Sequence, residues 1–340
     1  MSEGGVLVPG VHRALAPAKV NLGLFVGPVR ASDGRHELVS VMQAISLADE
    51  LTLEPAPAGS ERDEILCPGV PVAGEQNLAA AALRAFRAST GWQAPPLRLS
   101  IVKRIPVAAG LGGGSADAAA ALRLARHASG LGDEQLLRTL AAELGADVPA
   151  QVSPGRWLAS GAGERLQELA PARSPFGVLV LALEAALSTA AVYAEADRLA
   201  QLRTHTTLQE RRLELSAALE HGAALPAATE LLHNDLQRAA VSLCPQIADS
   251  LAQARDAGAE LALVSGSGPT VLGLFPAVGR SPGSGLALAQ AAAAGLATDR
   301  RSASNPAPIC ATPVDGAFAR AVTLAAGERR LGTSQSAQVQ

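Results

Sequence analysis

The segment Pro106–Asp117, which reads PVAAGLGGGSAD, carries the residue pattern best suited to binding an anion. Four of the five residues at 110–114 are glycine, and glycine lets successive backbone N–H groups turn toward one point. A run of helix-forming residues follows directly, with Ser115 as the expected N-cap. Because a helix N-terminus carries about half a positive charge, this strand, glycine loop and helix unit predicts a phosphate site.

Two common phosphate-binding motifs do not describe this loop. It lacks the G-x-x-x-x-G-K-[ST] pattern of a P-loop, and Ser115 stands where the third glycine of a dinucleotide-binding fingerprint would be. A simpler alternative is that the glycines only allow the loop to pack tightly on its helix. Four glycines directly before a helix favour a nucleotide-binding loop of another class.

Lys19 and Asp147 could supply the charges of a phosphoryl transfer. Lys19 lies within the largely apolar run APAKVN, where an ammonium is costly unless it has a charged partner. Taken alone, Lys19 could face solvent at a sheet edge, and Asp147 could cap the turn before Pro149. Together with a phosphate loop they match the needs of the reaction, because a carboxylate can deprotonate a hydroxyl and a cation can stabilise developing charge.

Two further segments have more than one interpretation. His36 follows a D-G turn at the start of a strand and could contact a ligand, although a single loop histidine is usually just solvated. The sequence SGSG at 265–268 predicts a tight turn rich in N–H groups. This turn could face the phosphates or merely close a hairpin.

The first half of the chain predicts a sheet with helices around the glycine loop. Segment 12–26 has the pattern of a strand, and 41–54 that of two strands with a turn near Ala48–Glu50. After a loop at 55–75, a helix opens near Asn77, and 97–106 returns as a strand. The helix after the glycine loop ends at Gly130, and an amphipathic helix at 133–145 leaves Asp147 on a loop.

The second half predicts a further lobe of strands and helices. A strand at FGVLVLAL is followed by helices at about 190–220, 226–240 and 245–258, then by the hairpin around 265–268. We expect a flexible loop at 276–285, within a longer loop at 276–309 that is rich in Pro, Ser and Gly. The order of elements is typical of an α+β fold with a domain at 1–165, a second at 171–325 and a polar, disordered tail at 326–340.

Composition excludes several classes of protein. The 340 residues exceed the size of most single cores, and two lobes meeting at a cleft are expected. The formal net charge of −3, without a basic and aromatic cluster, argues against a nucleic-acid partner. The three cysteines lack the spacing of a metal or redox site. The longest apolar run is broken by Glu184, which is too early for a membrane span, and the N-terminal residues lack the basic region of a signal peptide. These features favour a cytoplasmic protein that does not enter a membrane.

Three of these segments, in their order, resemble the motifs of the GHMP family of kinases: PAKVN at 17–21, GLGGGSA at 110–116 and VSGSGPT at 264–270. The resemblance implies two α+β lobes with the active site in the cleft between them. The segments DGRHEL, LADELTL, LGADVP and HNDLQ are similar to those of family members in the non-mevalonate isoprenoid route. Such members phosphorylate the C2 hydroxyl of diphosphocytidyl methylerythritol, a small molecule, and the resemblance shows no need for a protein partner.

The resemblance also implies roles for individual residues. Asp147 would be the base, and Lys19 would hold it ionised and orient the hydroxyl. Asn21, His36, Thr189 and Tyr193 would bind the substrate, with His36 at the cytosine edge. Mg²⁺ is expected with ATP. ATP would bind the residues Pro106, Val107, Ala108, Ala109, Gly110, Leu111, Gly112, Gly113, Gly114, Ser115 and Ala116.

One position departs from the family pattern, and three alternatives stay open. Arg35 stands where the family usually has a tyrosine, and its guanidinium plane could stack on a nucleobase instead. The chain could be a GHMP-type kinase for another small alcohol, or a catalytically silent ligand-binding homologue. A dinucleotide-dependent oxidoreductase is disfavoured, since the third glycine and a placed acidic residue are missing.

Overall fold

The structure is a computed structural model that describes residues 10–70, 77–173, 176–185, 187–226, 228–277, 283–298 and 306–325. The tail at 326–340, which we expect to be disordered, lies outside these ranges. The strands are β1 His12–Val29, β2 His36–Pro55, β3 Glu64–Leu66, β4 Leu97–Val102, β5 Arg156–Gly161, β6 Arg165–Leu169, β7 Gly177–Leu181, β8 Leu261–Val264, β9 Val271–Phe275, β10 Ile309–Ala311 and β11 Val322–Thr323. The helices are α1 Leu78–Thr90, α2 Gly113–Ser129, α3 Glu134–Leu144, α4 Val148–Val152, α5 Thr189–Arg198, α6 His205–Leu219, α7 Gln237–Leu243, α8 Gln246–Asp256 and α9 Ser284–Thr298.

The strands form two sheets, as expected for an α+β fold. The first has the order β11-β1-β2-β4-β3, with β5 also paired to β2 and β6 to β5. The second has the order β10-β7-β9-β8 and is antiparallel throughout. Because β11 pairs with β1, the last described part of the chain returns to the first sheet.

The prediction of two strands in 41–54 was wrong, since β2 runs without a break through the expected turn at Ala48–Glu50. Asp49, which suggested that turn, is fully buried and accepts hydrogen bonds from the backbone N–H groups of Arg104 and Ile105. Its carboxylate also accepts from Lys103. A polar residue that usually marks a turn therefore lies inside a strand because distant donors satisfy it.

The prediction of a single helix at about 190–220 was also wrong, because α5 and α6 are separate helices. Ala200, which lies between them, has a φ of 51°, and this left-handed value interrupts a right-handed helix. The helix expected at 226–240 is reduced to a short 3₁₀ turn at Thr229–Leu231 and to α7. The predicted helix at 245–258 matches α8.

The loop expected at 276–309 contains α9 within its described part. This helix lies against the second sheet, where Gly285 and Gly177 are in direct backbone contact. A Cβ on either glycine would meet the backbone of the other segment, so the small residues that suggested a loop instead allow close packing. In the described parts of the chain, none of the helices has the length and apolar character needed to cross a membrane.

Helix α2 is the central element of the first lobe, and its position determines that of the glycine loop. It packs on the first sheet and on α1, α3 and α4. Eleven of its residues are buried, and seven of these are alanine, which lets neighbouring elements approach closely. The helices expected to open near Asn77 and at residue 133 begin there, with Asn77 as the N-cap of α1 and Asp133 as that of α3.

Candidate active site

A cavity of about 600 Å³ collects most of the residues that the sequence singles out. It lies where the first sheet, the glycine loop and α5 meet. The following predicted residues line it: Lys19, Asn21, His36, Gly110, Gly112, Ser115, Asp147, Thr189 and Tyr193. Residues from widely separated parts of the chain therefore face one space.

The glycine loop adopts the backbone conformation that its composition requires. Gly110 and Gly112 have φ values of 75° and 69°, in the left-handed region that favours glycine. Gly112 is the N-cap of α2, so the prediction that Ser115 caps this helix was wrong. Because glycine can take the left-handed cap conformation, the helix begins earlier and Ser115 lies in its first turn.

A second cavity of about 370 Å³ lies on the other side of the same loop. Ten of the eleven residues predicted to bind ATP, those at 106–115, line it together with Asn77 and Leu78. Ala116 is buried in the core beneath the loop. The two cavities share Gly110, Gly112 and Ser115, so the loop forms a wall between them.

Lys19 and Asp147 form an ion pair at the floor of the larger cavity. The Lys19 Nζ atom lies 3.3 Å from Asp147 Oδ2 and donates a hydrogen bond of 2.9 Å to Asn21 Oδ1. The Lys19 side chain is 12% exposed and that of Asp147 is 39% exposed. Within the described chain Asp147 makes no capping hydrogen bond to α4, which disfavours the simple capping interpretation.

Asn21 is held in place by a chain of hydrogen bonds. Its Nδ2 atom donates to Ser40 Oγ at 2.7 Å, and Ser40 donates to the Gly23 carbonyl at 2.8 Å. This fixes the amide so that its oxygen faces Lys19. Ser40 was missed from the sequence, because a serine inside an apolar strand shows no sign of its partners.

The turn at Ser265–Gly268 closes the β8–β9 hairpin and also packs against the glycine loop, whereas its contact with the phosphates stays a prediction. A Cβ on Gly110 would lie 2.7 Å from the Gly268 carbonyl oxygen. The buried Asn234 donates to the carbonyl oxygens of Val264 and Gly266 at 2.8 and 2.7 Å. Asn234, within the HNDLQ segment, thereby holds the turn in this position.

His36 and Tyr193 lie together at the far end of the larger cavity. Their ring centroids are 5.1 Å apart, with 32° between the ring planes. His36 Nδ1 lies 2.9 Å from the Gly27 carbonyl oxygen, and Nε2 lies 3.4 Å from Asp197 Oδ2. Burial raises the pKa of Tyr193 to about 12, so the phenol is neutral. Thr189, at the start of α5, also lines this cavity.

Arg35 lies on the same side of the cavity as these rings. Its Nη2 atom donates a hydrogen bond of 2.7 Å to the Ala162 carbonyl. Arg35, Tyr193 and Ala162 all line the cavity. The residue that departs from the family pattern is therefore placed beside the chain's only tyrosine.

A buried group of three charges lies beneath the glycine loop, and the sequence did not reveal it. Lys103 Nζ donates to the carboxylates of both Asp49 and Asp117, the latter at 2.7 Å. Among the described residues no donor reaches Asp117 Oδ1, although the side chain is only 5% exposed. Burial raises the pKa of Asp117 to about 7, with Asp49 adding to this effect and Lys103 opposing it.

Replacing Asp117 with asparagine is expected to remove a pH dependence of stability. The pKa of Asp117 is about 7 in the folded protein and 3.8 in the unfolded chain, so between these pH values the folded protein binds more protons. The stability of the wild type therefore falls as the pH rises from about 4 to about 7. Because asparagine cannot ionise, we expect its melting temperature to exceed that of wild type by at least about 3 °C at pH 8 and to match it near pH 4. Thermal denaturation at several pH values measures this difference. A difference that does not change with pH, or one equal to that of the exposed control Asp256→Asn, would contradict the assignment.

Comparison with known proteins identifies the fold and the family. The GHMP kinases N terminal domain model matches residues 77–155, and the GHMP kinases C terminal model matches residues 214–297. These matches fall inside the two predicted domains, whose boundary stays a prediction. A crystal structure of 4-(cytidine 5'-diphospho)-2C-methyl-D-erythritol kinase superimposes with a TM-score of 0.68 at 32% identity, covering 88% of this chain and 98% of that one. Homoserine kinase from Cytophaga hutchinsonii has a TM-score of 0.67 at 16% identity, covering 93% and 98%, and shares the fold.

Curated relatives place the chain more narrowly. The 4-diphosphocytidyl-2-C-methyl-D-erythritol kinase of Streptomyces coelicolor is 42% identical over 301 residues, covering 86% of this chain and 90% of that protein. The kinase of the same name from Anaeromyxobacter dehalogenans is 42% identical over 287 residues, covering 83% and 87%. With both domain models matched and this identity over most of each sequence, the chain belongs to the 4-diphosphocytidyl-2-C-methyl-D-erythritol kinase family of GHMP kinases.

Proposed function

We propose that the protein transfers the γ-phosphoryl group of ATP to the C2 hydroxyl of 4-diphosphocytidyl-2-C-methyl-D-erythritol, a step of isoprenoid precursor synthesis by the non-mevalonate pathway. The observation that carries this proposal is the Lys19–Asp147 pair, whose charged atoms lie 3.3 Å apart. The pair faces a cavity that has the glycine loop at one end and His36 with Tyr193 at the other. A phosphate donor and a base-bearing acceptor can thus meet at the charged pair.

ATP binds across the glycine loop. Its phosphates lie on the backbone N–H groups of Gly112–Ser115 at the N-terminus of α2, where the helix dipole favours negative charge. Its base occupies the cavity of about 370 Å³ next to Leu78 and Val107. Ser115, which lines both cavities, would hold Mg²⁺ together with the nucleotide's own phosphate oxygens, because Mg²⁺ takes oxygen ligands and usually has few of them from the protein. The ion would supply positive charge that offsets the charge of the phosphates.

Asp147 and Lys19 carry the chemical step. The carboxylate of Asp147 accepts the proton of the C2 hydroxyl as this oxygen forms a bond to the γ-phosphorus. The bond from that phosphorus to the bridging oxygen breaks, and ADP leaves with the electron pair. Lys19, held by Asn21, keeps a positive charge 3.3 Å from the carboxylate and stabilises negative charge on the transferred group. The products are ADP and the 2-phosphate.

The cytidine end of the acceptor binds between Tyr193, His36 and Arg35. Tyr193 offers a neutral ring for stacking on the base. His36, whose Nδ1 contacts the Gly27 carbonyl and whose Nε2 lies 3.4 Å from Asp197, packs its ring at the cytosine edge, and the cytosine competes with Asp197 for Nε2. Thr189 supplies a hydroxyl in the same cavity, 3.1 Å from that of Ser267. We place the enzyme in the cytoplasm, as its three cysteines are free thiols.

Replacing Arg35 with alanine is expected to raise KM for the diphosphocytidyl substrate about tenfold, because stacking on a base contributes on the order of 1–3 kcal/mol. KM for ATP should change less than about twofold. Arg35 lines the larger cavity, whereas the base of ATP occupies the smaller one. Steady-state kinetics with each substrate varied in turn separates these effects. Arg35→Tyr should restore the wild-type KM, and the exposed Arg255→Ala serves as control. An unchanged KM in Arg35→Ala would show that the guanidinium does not contact the base.

The proposed function is tested by offering the enzyme a set of alcohols. ADP release with ATP and Mg²⁺ is measured for 4-diphosphocytidyl-2-C-methyl-D-erythritol beside mevalonate, homoserine and galactose. We expect turnover with the first compound alone. Turnover with one of the others would keep the kinase and reject the substrate. ATP binding without turnover of any compound would favour a catalytically silent homologue.

A further inference from the structure

A third and much smaller cavity, of about 10 Å³, lies behind the Lys19–Asp147 pair, on the side away from the glycine loop. Both charged residues line it. Its other lining residues are Gln151 and a set that is largely apolar: Met42, Ala44, Ala150, Gly155 and Trp157. A polar residue therefore shares with the Lys19–Asp147 pair a space too small for either substrate.

The Gln151 amide lacks the partners that a buried amide normally has. The residue is 2% exposed, and its Nε2 atom has no hydrogen-bond partner among the described residues. The backbone of Gln151 is fixed in position, because its carbonyl accepts a hydrogen bond from the half-buried Arg123, which also donates to the Leu15 carbonyl at 2.7 Å. Buried polar groups without protein partners usually bind ordered water.

The cavity has the size and polarity that one water molecule needs. A site for a single water requires roughly 10–15 Å³ and two to four polar partners. Three residues with polar side chains line this cavity: Gln151, Asp147 and Lys19. An ionised carboxylate can accept about four hydrogen bonds, so Asp147 has sites left beside its ion pair with Lys19.

We propose that Gln151 holds one ordered water against the Lys19–Asp147 pair and thereby acts as a positioning residue for the catalytic carboxylate. Asp147 is 39% exposed and makes no capping hydrogen bond to α4, and within the described chain Lys19 is the partner that forms an ion pair with it. A bridged water adds a second fixed contact and reduces the freedom of the carboxylate to turn away from the acceptor hydroxyl. This inference rests on the proposed function, in which Asp147 is the base.

Gln151→Leu is expected to lower kcat about tenfold while KM for both substrates changes less than about twofold, because the amide acts on the geometry of the base and not on binding. Its melting temperature should equal or exceed that of wild type, since the change removes a buried polar group. The conservative variant Gln151→Asn, which keeps an amide and leaves room for water, should recover most of kcat. Gln201→Leu, which removes another partly buried amide after α5, is the matched control and should retain kcat.

Three results would overturn the proposal. One is full kcat in Gln151→Leu. Another is a loss of kcat that follows a loss of melting temperature in both Gln151 variants, which would indicate a purely structural role. The third comes from a high-resolution crystal structure of the wild-type enzyme. We expect a water within about 3.2 Å of Gln151 Nε2 and of an Asp147 or Lys19 polar atom. A cavity without this water would overturn the proposal. This structural result does not depend on the substrate, so it separates failure of the water site from failure of the proposed function.

Discussion

Asp147→Asn is expected to lower kcat by about 10³-fold, because a positioned general base contributes roughly 10²–10⁴-fold to such a reaction. Asparagine has nearly the same shape but cannot take the proton of the acceptor hydroxyl. It also removes the negative charge that lies 3.3 Å from Lys19. KM for ATP should change less than about threefold, since the phosphates bind to the backbone of the glycine loop. Initial rates of ADP release over a range of both substrates measure the two parameters.

Because Asp147 and Lys19 form an ion pair, we also predict the effects of replacing Lys19 alone and together with Asp147. Lys19→Met should also reduce kcat strongly, and the double variant should be little worse than the more damaged single variant, because residues that act as a unit are not additive. The exposed Asp256→Asn controls for the loss of a carboxylate as such. A fall in kcat of less than about tenfold in Asp147→Asn would assign the base to another group.

Gly110→Ala is expected to be the most damaging change in the glycine loop. Its φ of 75° costs an L-residue roughly 1–2 kcal/mol. Its Cβ would lie 2.7 Å from the Gly268 carbonyl oxygen and 3.2 Å from that of Ser265, which are backbone atoms that cannot turn aside. The loop and the turn must therefore separate. We expect stability to fall by about 2–4 kcal/mol and ATP affinity by at least about fiftyfold. Calorimetry measures the unfolding and the binding of ATP.

Gly114→Ala in the same loop is the matched control. A Cβ at this position meets Leu78 Cδ1 at 3.7 Å, an ordinary van der Waals distance, and the residue lies in the first turn of α2. Since alanine is favoured over glycine in a helix by roughly 0.5–1 kcal/mol, its melting temperature should not fall. Equal destabilisation of the two variants would contradict this prediction, because the contact with Gly268 would then not explain the effect of Gly110→Ala.

The local pattern of the sequence predicted the elements around the site well where the deciding interactions are local. Helices α1 and α3 begin at the positions expected, because Asn77 and Asp133 each accept a hydrogen bond from a backbone group two or three residues away. The wrong predictions share the opposite cause. Asp49 lies inside a strand because donors at Arg104 and Ile105 satisfy it, and the glycines around α9 serve contact with another segment. Neither partner is visible from neighbouring residues.

The features of the candidate site likewise fall into those set by adjacent residues and those set by contacts between distant parts of the chain. By itself the sequence determined the glycine loop before a helix, since left-handed φ values and a helix N-terminus follow from residue types that are adjacent in the chain. It also supplied Lys19 as a candidate, through the cost of an isolated charge in an apolar segment, and Asp147 as a loop carboxylate of the kind that phosphoryl transfer needs. Only the tertiary structure brought these two charges together, packed the turn at Ser265–Gly268 against Gly110 and placed Gln151 behind the pair. The physical reason is that hydrogen bonds and ion pairs act over a few ångströms in space, whatever the separation of the residues along the chain.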